Sequence, residues 1–347
     1  MKIGIAGARG SIPTPTGKTL FDRNVTTEKY GGNTTCVYVQ GDDGSEHILD
    51  AGTGIRDLGV YLATRGGFNG KEGKELNLYI SHTHWDHIQG LPFFVPAYIP
   101  GNSIRVYGEA KVKGLHPGTK ASLESAIAEH SDQPGNLPGL LQVEGDGLRT
   151  VLKKQQDFRN FPAPLEVLKG IESYLDFVPG STVYETATLK IDTCGLNHPG
   201  NSISYRFTET KKDKSKKDGS KKDGGKKIFV FSTDFEPDQN GFDDKVIHFW
   251  EGADMVMADA QYEPRDSDVK VNPFMVGWGH SDYRTDLQMA AAAGVKKLVL
   301  THHEPKMGDN YHDALERRAQ EEAKAISERT NRNVHVELAK EGTWYEV

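Results

Sequence analysis

The chain has 347 residues, 36% hydrophobic and 26% charged, with a formal net charge of -7 at pH 7. That length can bury the core of one large α/β domain or two smaller ones, and the acidic balance argues against a general nucleic-acid coat protein while allowing a local basic patch. Cys36 and Cys194 are far apart and form no CxxC pair, so neither a disulfide framework nor a thiolate metal site is suggested, and no apolar run reaches the roughly 18 residues of a membrane span; a cytoplasmic protein with no membrane partner is expected.

The opening MKIGIAGARGS reads as a strand entering a glycine-rich turn. Gly4, Gly7 and Gly10 do not make the GxGxxG spacing, and Pro13 and Pro15 interrupt the stretch where a helix would follow; a tight turn beside a pocket is expected, with Arg9 and Ser11 in it. TTCVYVQ and HILD read as strands around the hairpin-like turn GDDGS, and a glycine turn then leads to a helix. Leu76 to Ile80 is a short apolar run, the signature of a buried strand. Directly behind it, HTHWDH packs three histidines and an aspartate into the six residues from His82 to His87. On extended chain His82 and His84 point to one side, and Asp86 can follow them, because side chains alternate with period two. Imidazole and carboxylate together suit zinc, manganese or iron, whereas a structural zinc finger would want cysteines and none are near. Trp85 is expected to pack.

The middle, about 108–180, changes character. KASLESAIAEH and the proline-bearing FRNFPAPLEVLKGIESYL suggest a helical, cap-like insertion, and His116 and His130 there stand alone. From about Ser181 strands resume in TVYETATLKIDTCGLNHPGNSISYRF, KIFVFSTDFEP, DMVMADAQY and KKLVLTHHEP, each apolar run ending in a histidine or aspartate. Between two of them lies the segment 211–227, with nine lysines, three aspartates and no apolar residue. It is expected to be a disordered, exposed loop, a solubilising hairpin tip or else an arm that attracts RNA phosphates. Asp50 and Asp259 suit the fixing of a histidine tautomer, or equally a turn. His47, His248, His312 and His335 have no company and are expected at the surface.

Taken together, His82, His84, Asp86 and His87, His198 in NHPGNS, Asp234 in FSTD, His280 in GWGHSD and His302 or His303 in LVLTHHEP resemble the pattern of the metallo-β-lactamase superfamily. GARGSIPTP, YGGNTTCV, LDAGTGIRDL, ADAQY and GHS look most like its phosphodiesterase branch, the tRNase Z-like nucleases and cyclic-nucleotide phosphodiesterases. The resemblance runs through nearly the whole chain. It implies a single α/β domain over 1–347, a four-layer αβ/βα sandwich with a two-metal site at one edge. His82, His84 and His198 would hold the first ion, Asp86, His87 and His302 (His303 the alternative) the second, and Asp234 would bridge. Asp86 and His280 would be catalytic, His280 as proton donor. True zinc β-lactamases commonly carry a cysteine where this chain has Asp234, which argues against lactam chemistry.

Two metal ions roughly 3.5–4 Å apart can share a water, lower its pKa and stabilise the charge of a phosphodiester transition state. The hydroxide is then the nucleophile, so no serine or cysteine is needed for that role. The expectation is a hydrolase of cyclic nucleotides or similar small phosphodiesters, with two divalent ions, zinc foremost and manganese or iron as alternatives. The alternative is a tRNA 3′-end endoribonuclease with RNA as partner, since the lysine-rich insert falls where tRNase Z-like enzymes carry their substrate-gripping arm. Relatives are often dimers, which implies a homodimer.

Overall fold

A computed structural model describes residues 1–18, 24–110, 140–141, 147–211, 224–237, 243–264 and 277–347. The apolar runs are strands buried on both faces, and alternation sends successive side chains to different cores. In Gly224–Ser232, Phe229 and Phe231 enter one core while Val230 enters another. Met255 and Met257 separate in the same way from Val256 and Ala258, and Tyr79 from Leu78 and Ile80.

In chain order the elements used here are β1 (Lys2–Gly7), β2 (Cys36–Gln40), β3 (Glu46–Leu49), α1 (Ile55–Thr64), β4 (Glu75–Tyr79), α2 (Trp85–Ile88), β5 (Ser103–Glu109), β6 (Leu140–Leu141), α3 (Leu148–Gln155) and β7 (Ile171–Phe177). There follow β8 (Thr182–Glu185), β9 (Leu189–Leu196), β10 (Ser202–Lys211), β11 (Gly224–Ser232), α4 (Asp244–Trp250), β12 (Met255–Asp259), α5 (Tyr283–Ala293), β13 (Lys297–Thr301), α6 (Asp309–Thr330), β14 (His335–Leu338) and β15 (Trp344–Glu346). One sheet runs β15-β1-β2-β3-β4-β5-β7-β6, the other β8-β9-β10-β11-β12-β13-β14.

The sheets face each other across a core that includes Ile5, Val39, Tyr79, Phe177, Tyr205, Phe229 and Met257. Helices α4 to α6 cover the outer face of the second sheet through Trp250, Leu287 and Leu315, and α1 and α3 cover that of the first through Leu58, Leu62 and Leu152. The result is the expected helix–sheet–sheet–helix sandwich. Strands β3, β4, β5 and β7 are parallel in one sheet, and β11 to β14 in the other. Their registers align carboxyl ends, Leu49 beside Tyr79 and Asp259 beside Thr301, and loops leave for one edge from both sheets. Among the described residues no helix is long and apolar enough to cross a membrane.

Two expectations change. The end of the middle stretch is not helix: Ile171–Phe177 is a strand paired in parallel with β5, with Leu175 and Phe177 toward the inter-sheet core and Tyr174 toward the other face. Its period of two was hidden by the prolines before it. Lys211 and Gly224–Lys227, assigned to the lysine-rich loop, belong to β10 and β11, where Lys211 pairs with Gly224 and Glu209 with Lys227. Residues 212–223, and 111–139 with KASLESAIAEH, His116 and His130, lie outside the described residues.

Candidate metal centre

Each candidate ligand stands just past the carboxyl end of a strand: His82 to His87 after β4, His198 after β9, Asp234 after β11 and His302 after β13. Six non-glycine residues among those described have left-handed backbone, and four of them, Ser11 (φ 59°), Asp50 (62°), Asp234 (54°) and His302 (59°), gather here. Such conformations cost on the order of 1–3 kcal/mol each and persist only where the surroundings enforce them, which makes their concentration a mark of a functional place.

Two groups of donor atoms result, each within 4.8 Å: His82, His84 and His198, and Asp86, His87, Asp234 and His302. His198 Nε2 lies 3.1 Å from His84 Nδ1. In the second group His302 Nε2 lies 3.1 Å from Asp86 Oδ2 and 3.4 Å from His87 Nε2. Asp234 stands between the groups. Its Oδ2 is 3.7 Å from His82 Nε2 and 4.0 Å from His198 Nε2, while its Oδ1 is 3.3 Å from both His87 Nε2 and His302 Nε2. Asp86 does not follow His82 and His84 by strand alternation. The chain is extended at His84 (φ -65°, ψ 154°) and turns into α2 directly after it, so Asp86 and His87 point from a helical turn into the second group.

Neighbouring groups fix which nitrogen most of these rings present. His198 Nδ1 donates to the carbonyl of Gly279 (2.8 Å), and His87 Nδ1 to Asp50 Oδ2 (2.7 Å). Ser81 Oγ donates to Asp50 Oδ2 (2.8 Å) and lies 3.1 Å from His82 Nδ1. Asp50 thus fills the tautomer-fixing role expected of it. His82 Nε2 is buried and has no hydrogen-bond partner. An orphaned buried lone pair aimed at two further imidazole nitrogens is what a soft divalent cation satisfies and what a hydrogen-bond network does not. The donor set therefore fits a metal pair.

The two groups differ in charge. Burial, helped by neighbouring histidines, holds His82 well below the ordinary imidazole value and lowers His84 and His198, so the first group is neutral. Burial also opposes charge on His87 and His302, but the carboxylates outweigh it: Asp234, Asp86 and Asp50 raise His87 well above its usual value, and Asp234 and Asp86 raise His302 to about 9. Burial disfavours ionised Asp86 and Asp234 too, yet the adjoining histidines hold both below the usual carboxylate range. The first group thus disfavours bound protons and the second favours them.

His302, not His303, faces the centre, because His303 Nε2 donates to the carbonyl of Ala339 (2.8 Å). His280 Nδ1 donates to Asp259 Oδ2 (2.6 Å) and lies 4.0 Å from Asp234 Oδ2. His280 with Asp259, Asp234 and His302 makes a third set of close donor atoms, but the carboxylate already held by Nδ1 makes a hydrogen-bonded dyad the simpler reading. Ser11 and Arg9 form a turn: the Ser11 amide donates to Asp86 Oδ2 (2.8 Å), and the buried Arg9 donates to the carbonyls of Gly31, Glu304 and Met307. Trp85 does not pack but is 82% exposed. His47 and His312 are buried rather than on the surface: His47 lies against Tyr184 and Phe207, His312 against Tyr30 and His303. The sequence reading missed Gly279, Ser81 and Thr233, whose Oγ1 donates to Asp234 Oδ1 (2.5 Å); proximity to a candidate ligand was their only signal.

No family model matches the chain. Over 80 residues it is 38% identical to the ribonuclease Z of Brevibacillus brevis (strain 47 / JCM 6285 / NBRC 100599), a match that covers 23% of this chain and 22% of that protein's length. Three of the solved structures that superpose on 100% of this chain illustrate the likeness. They are the metallo-β-lactamase-fold protein YhfI of Bacillus subtilis (TM-score 0.55, 17% identity, 98% of its chain), a diphosphatase of the PhnP family (0.56, 17%, 97%) and the short form of human tRNase Z (0.55, 15%, 99%). At such identities the likeness establishes architecture. With both sheets, both helical layers and the histidine–aspartate edge in place, the chain has the metallo-β-lactamase fold.

Proposed function

We propose that the chain is a metal-dependent phosphodiester hydrolase acting on cyclic nucleotides or similar small phosphodiesters. The observation that carries this reading is the division of Asp234, one oxygen toward His82 and His198 and the other toward His87 and His302, with the His280–Asp259 dyad alongside. His82, His84 and His198 would hold one divalent ion and Asp86, His87 and His302 the other, with Asp234 between. Zinc suits the imidazole-rich set, and the carboxylates also admit manganese or iron. Bound there, such a pair lowers the pKa of a water and neutralises charge on a phosphoryl group.

The chain's own residues do the rest. Asp50, Ser81 and the Gly279 carbonyl keep lone pairs of His87, His82 and His198 aimed inward. Asp259 accepts the Nδ1 proton of His280 and orients the ring, leaving Nε2 to hand a proton to the departing alkoxide.

A small substrate is supported by where the lysine-rich segment is rooted. Strand β10 begins near His198 and β11 ends near Asp234, whereas Lys211 pairs with Gly224 at their far ends. At about 3.3 Å per residue, that root lies roughly 30 Å from the candidate centre. The second reading, a tRNA 3′-end endoribonuclease, is favoured by the stretch similar to ribonuclease Z. Turnover of a panel of 3′,5′-cyclic nucleotides beside a precursor tRNA, with zinc or manganese and a His198→Ala control, separates them. Ring opening with an intact precursor supports the first reading. Cleavage of the RNA with idle cyclic nucleotides overturns it in favour of the second.

A further inference from the structure

Of the second group's two histidines, only His302 lacks a partner for its outer nitrogen. His87 has Asp50, whereas His302 Nδ1 is buried with no hydrogen-bond partner. One other orphaned atom lies beside it, the side-chain oxygen of the buried Gln261. A Cβ placed on Gly10 would be 2.6 Å from His302 Nδ1 and 3.1 Å from Gln261 Oε1, so the two atoms face the same slot, open because residue 10 has no side chain. The amide group of Gln261 is oriented from its other end: Nε2 lies 3.1 Å from Ser11 Oγ and 3.5 Å from Glu304 Oε2, which both accept. That leaves Oε1 as an acceptor turned to the slot. The same contact bears on Asp86, since Ser11, which receives the Gln261 amide, donates its backbone N–H to Asp86 Oδ2.

We propose that Gln261 is the positioning residue of the second ion's half-site. Its Oε1 accepts the Nδ1 proton of His302, directly or through one water in the slot, and its Nε2 anchors the Ser11 turn that holds Asp86. The inference rests on the two-ion reading above and assigns to one side chain the alignment of two of its ligands. The first half-site does not need it, because His82 and His198 have Ser81 and Gly279.

The test is a cobalt(II) titration of metal-stripped wild type, Q261M and Q261E, followed by visible absorbance and chelator competition, with the imidazole ¹H–¹⁵N spectrum of each protein. Methionine keeps the length and removes donor and acceptor; glutamate keeps the acceptor. Expected is a Q261M protein that binds its first equivalent as wild type does and its second about 10–100-fold more weakly, the range usual for loss of such a support, while Q261E, which keeps the acceptor for His302 but loses the donor to Ser11, falls between the two. In the spectrum, the wild-type His302 Nδ1–H is downfield, is lost in Q261M and moves further downfield in Q261E. Unchanged second-equivalent affinity in Q261M, equal weakening of both equivalents, or a Q261E as weak as Q261M overturns the proposal. If Q261M does not fold, an unmoved His302 resonance in Q261E overturns it. Should stripped wild type bind fewer than two equivalents, the two-ion reading falls by itself, and the His302 resonance still decides the role of Gln261.

Discussion

His280 and Asp259 form a dyad at 2.6 Å beside the carboxylate of Asp234, and the proton-donor role proposed for His280 rests on that geometry. His280→Ala is expected to lower kcat by about 10²–10⁴-fold, the usual size of a lost general acid, with metal content unchanged. Loss of a metal equivalent would instead make His280 a ligand. Away from the centre, burial lowers both His47 and His312 to about 3. Unfolded, each takes up a proton near pH 6.5, so the stability these neutral rings confer is complete above 6.5 and declines as pH falls toward 3, by about 1.4 kcal/mol per unit for each. Urea unfolding at pH 7, 6 and 5 tests this, and His47→Gln should flatten the slope; an equal slope in that variant refutes the assignment. The cluster from His82 to His87 was legible because its members are close in sequence. The burial of His47 was not, since Phe207, which covers it, comes from the opposite sheet.

Strands announced themselves as apolar runs ending in histidine or aspartate, and that pattern fixed which ends carry chemistry. The short helix α2 did not, because four residues are too few for a helical period; strand alternation alone therefore set Asp86 beside His82 and His84, whereas the resemblance grouped it with His87, as the structure does. Turns carry comparable weight. Gly279 has φ 89°, its carbonyl holds His198, and a Cβ there would stand 2.1 Å from His198 Nδ1. Gly279→Ala therefore combines backbone strain with a clash against that ring. The first metal equivalent is expected to weaken at least tenfold, read by chelator competition; unaltered affinity would mean that the turn yields without disturbing His198.

The two sheets contribute unequally and jointly: His82, His84, Asp86 and His87 come from the first, His198, Asp234 and His302 from the second. Ions held between them would fasten the sandwich at one edge. Ligand present at a thousandfold over its dissociation constant stabilises by about 4 kcal/mol, so chelation should lower Tm by several degrees. His198→Ala should show a smaller drop; an equal one would place the chelator's effect elsewhere. At this scale the sequence foretold much through resemblance and little through composition: a net charge of -7 and two cysteines suit many α/β proteins, whereas HTHWDH followed by three spaced strand-end ligands suits few.

If two ions bind as proposed, the divided carboxylate of Asp234 would make the two half-sites thermodynamically dependent on each other. An ion at the three histidines would engage one oxygen of Asp234 and leave the other turned toward His87 and His302. Loading should therefore be ordered, the first ion at the three histidines and the second at the half-site that also favours protons. Calorimetric titration of the stripped protein should resolve two steps, and Asp234→Asn should weaken both; a single step would refute the order. Under metal scarcity such a protein would keep its first ion and lose its second.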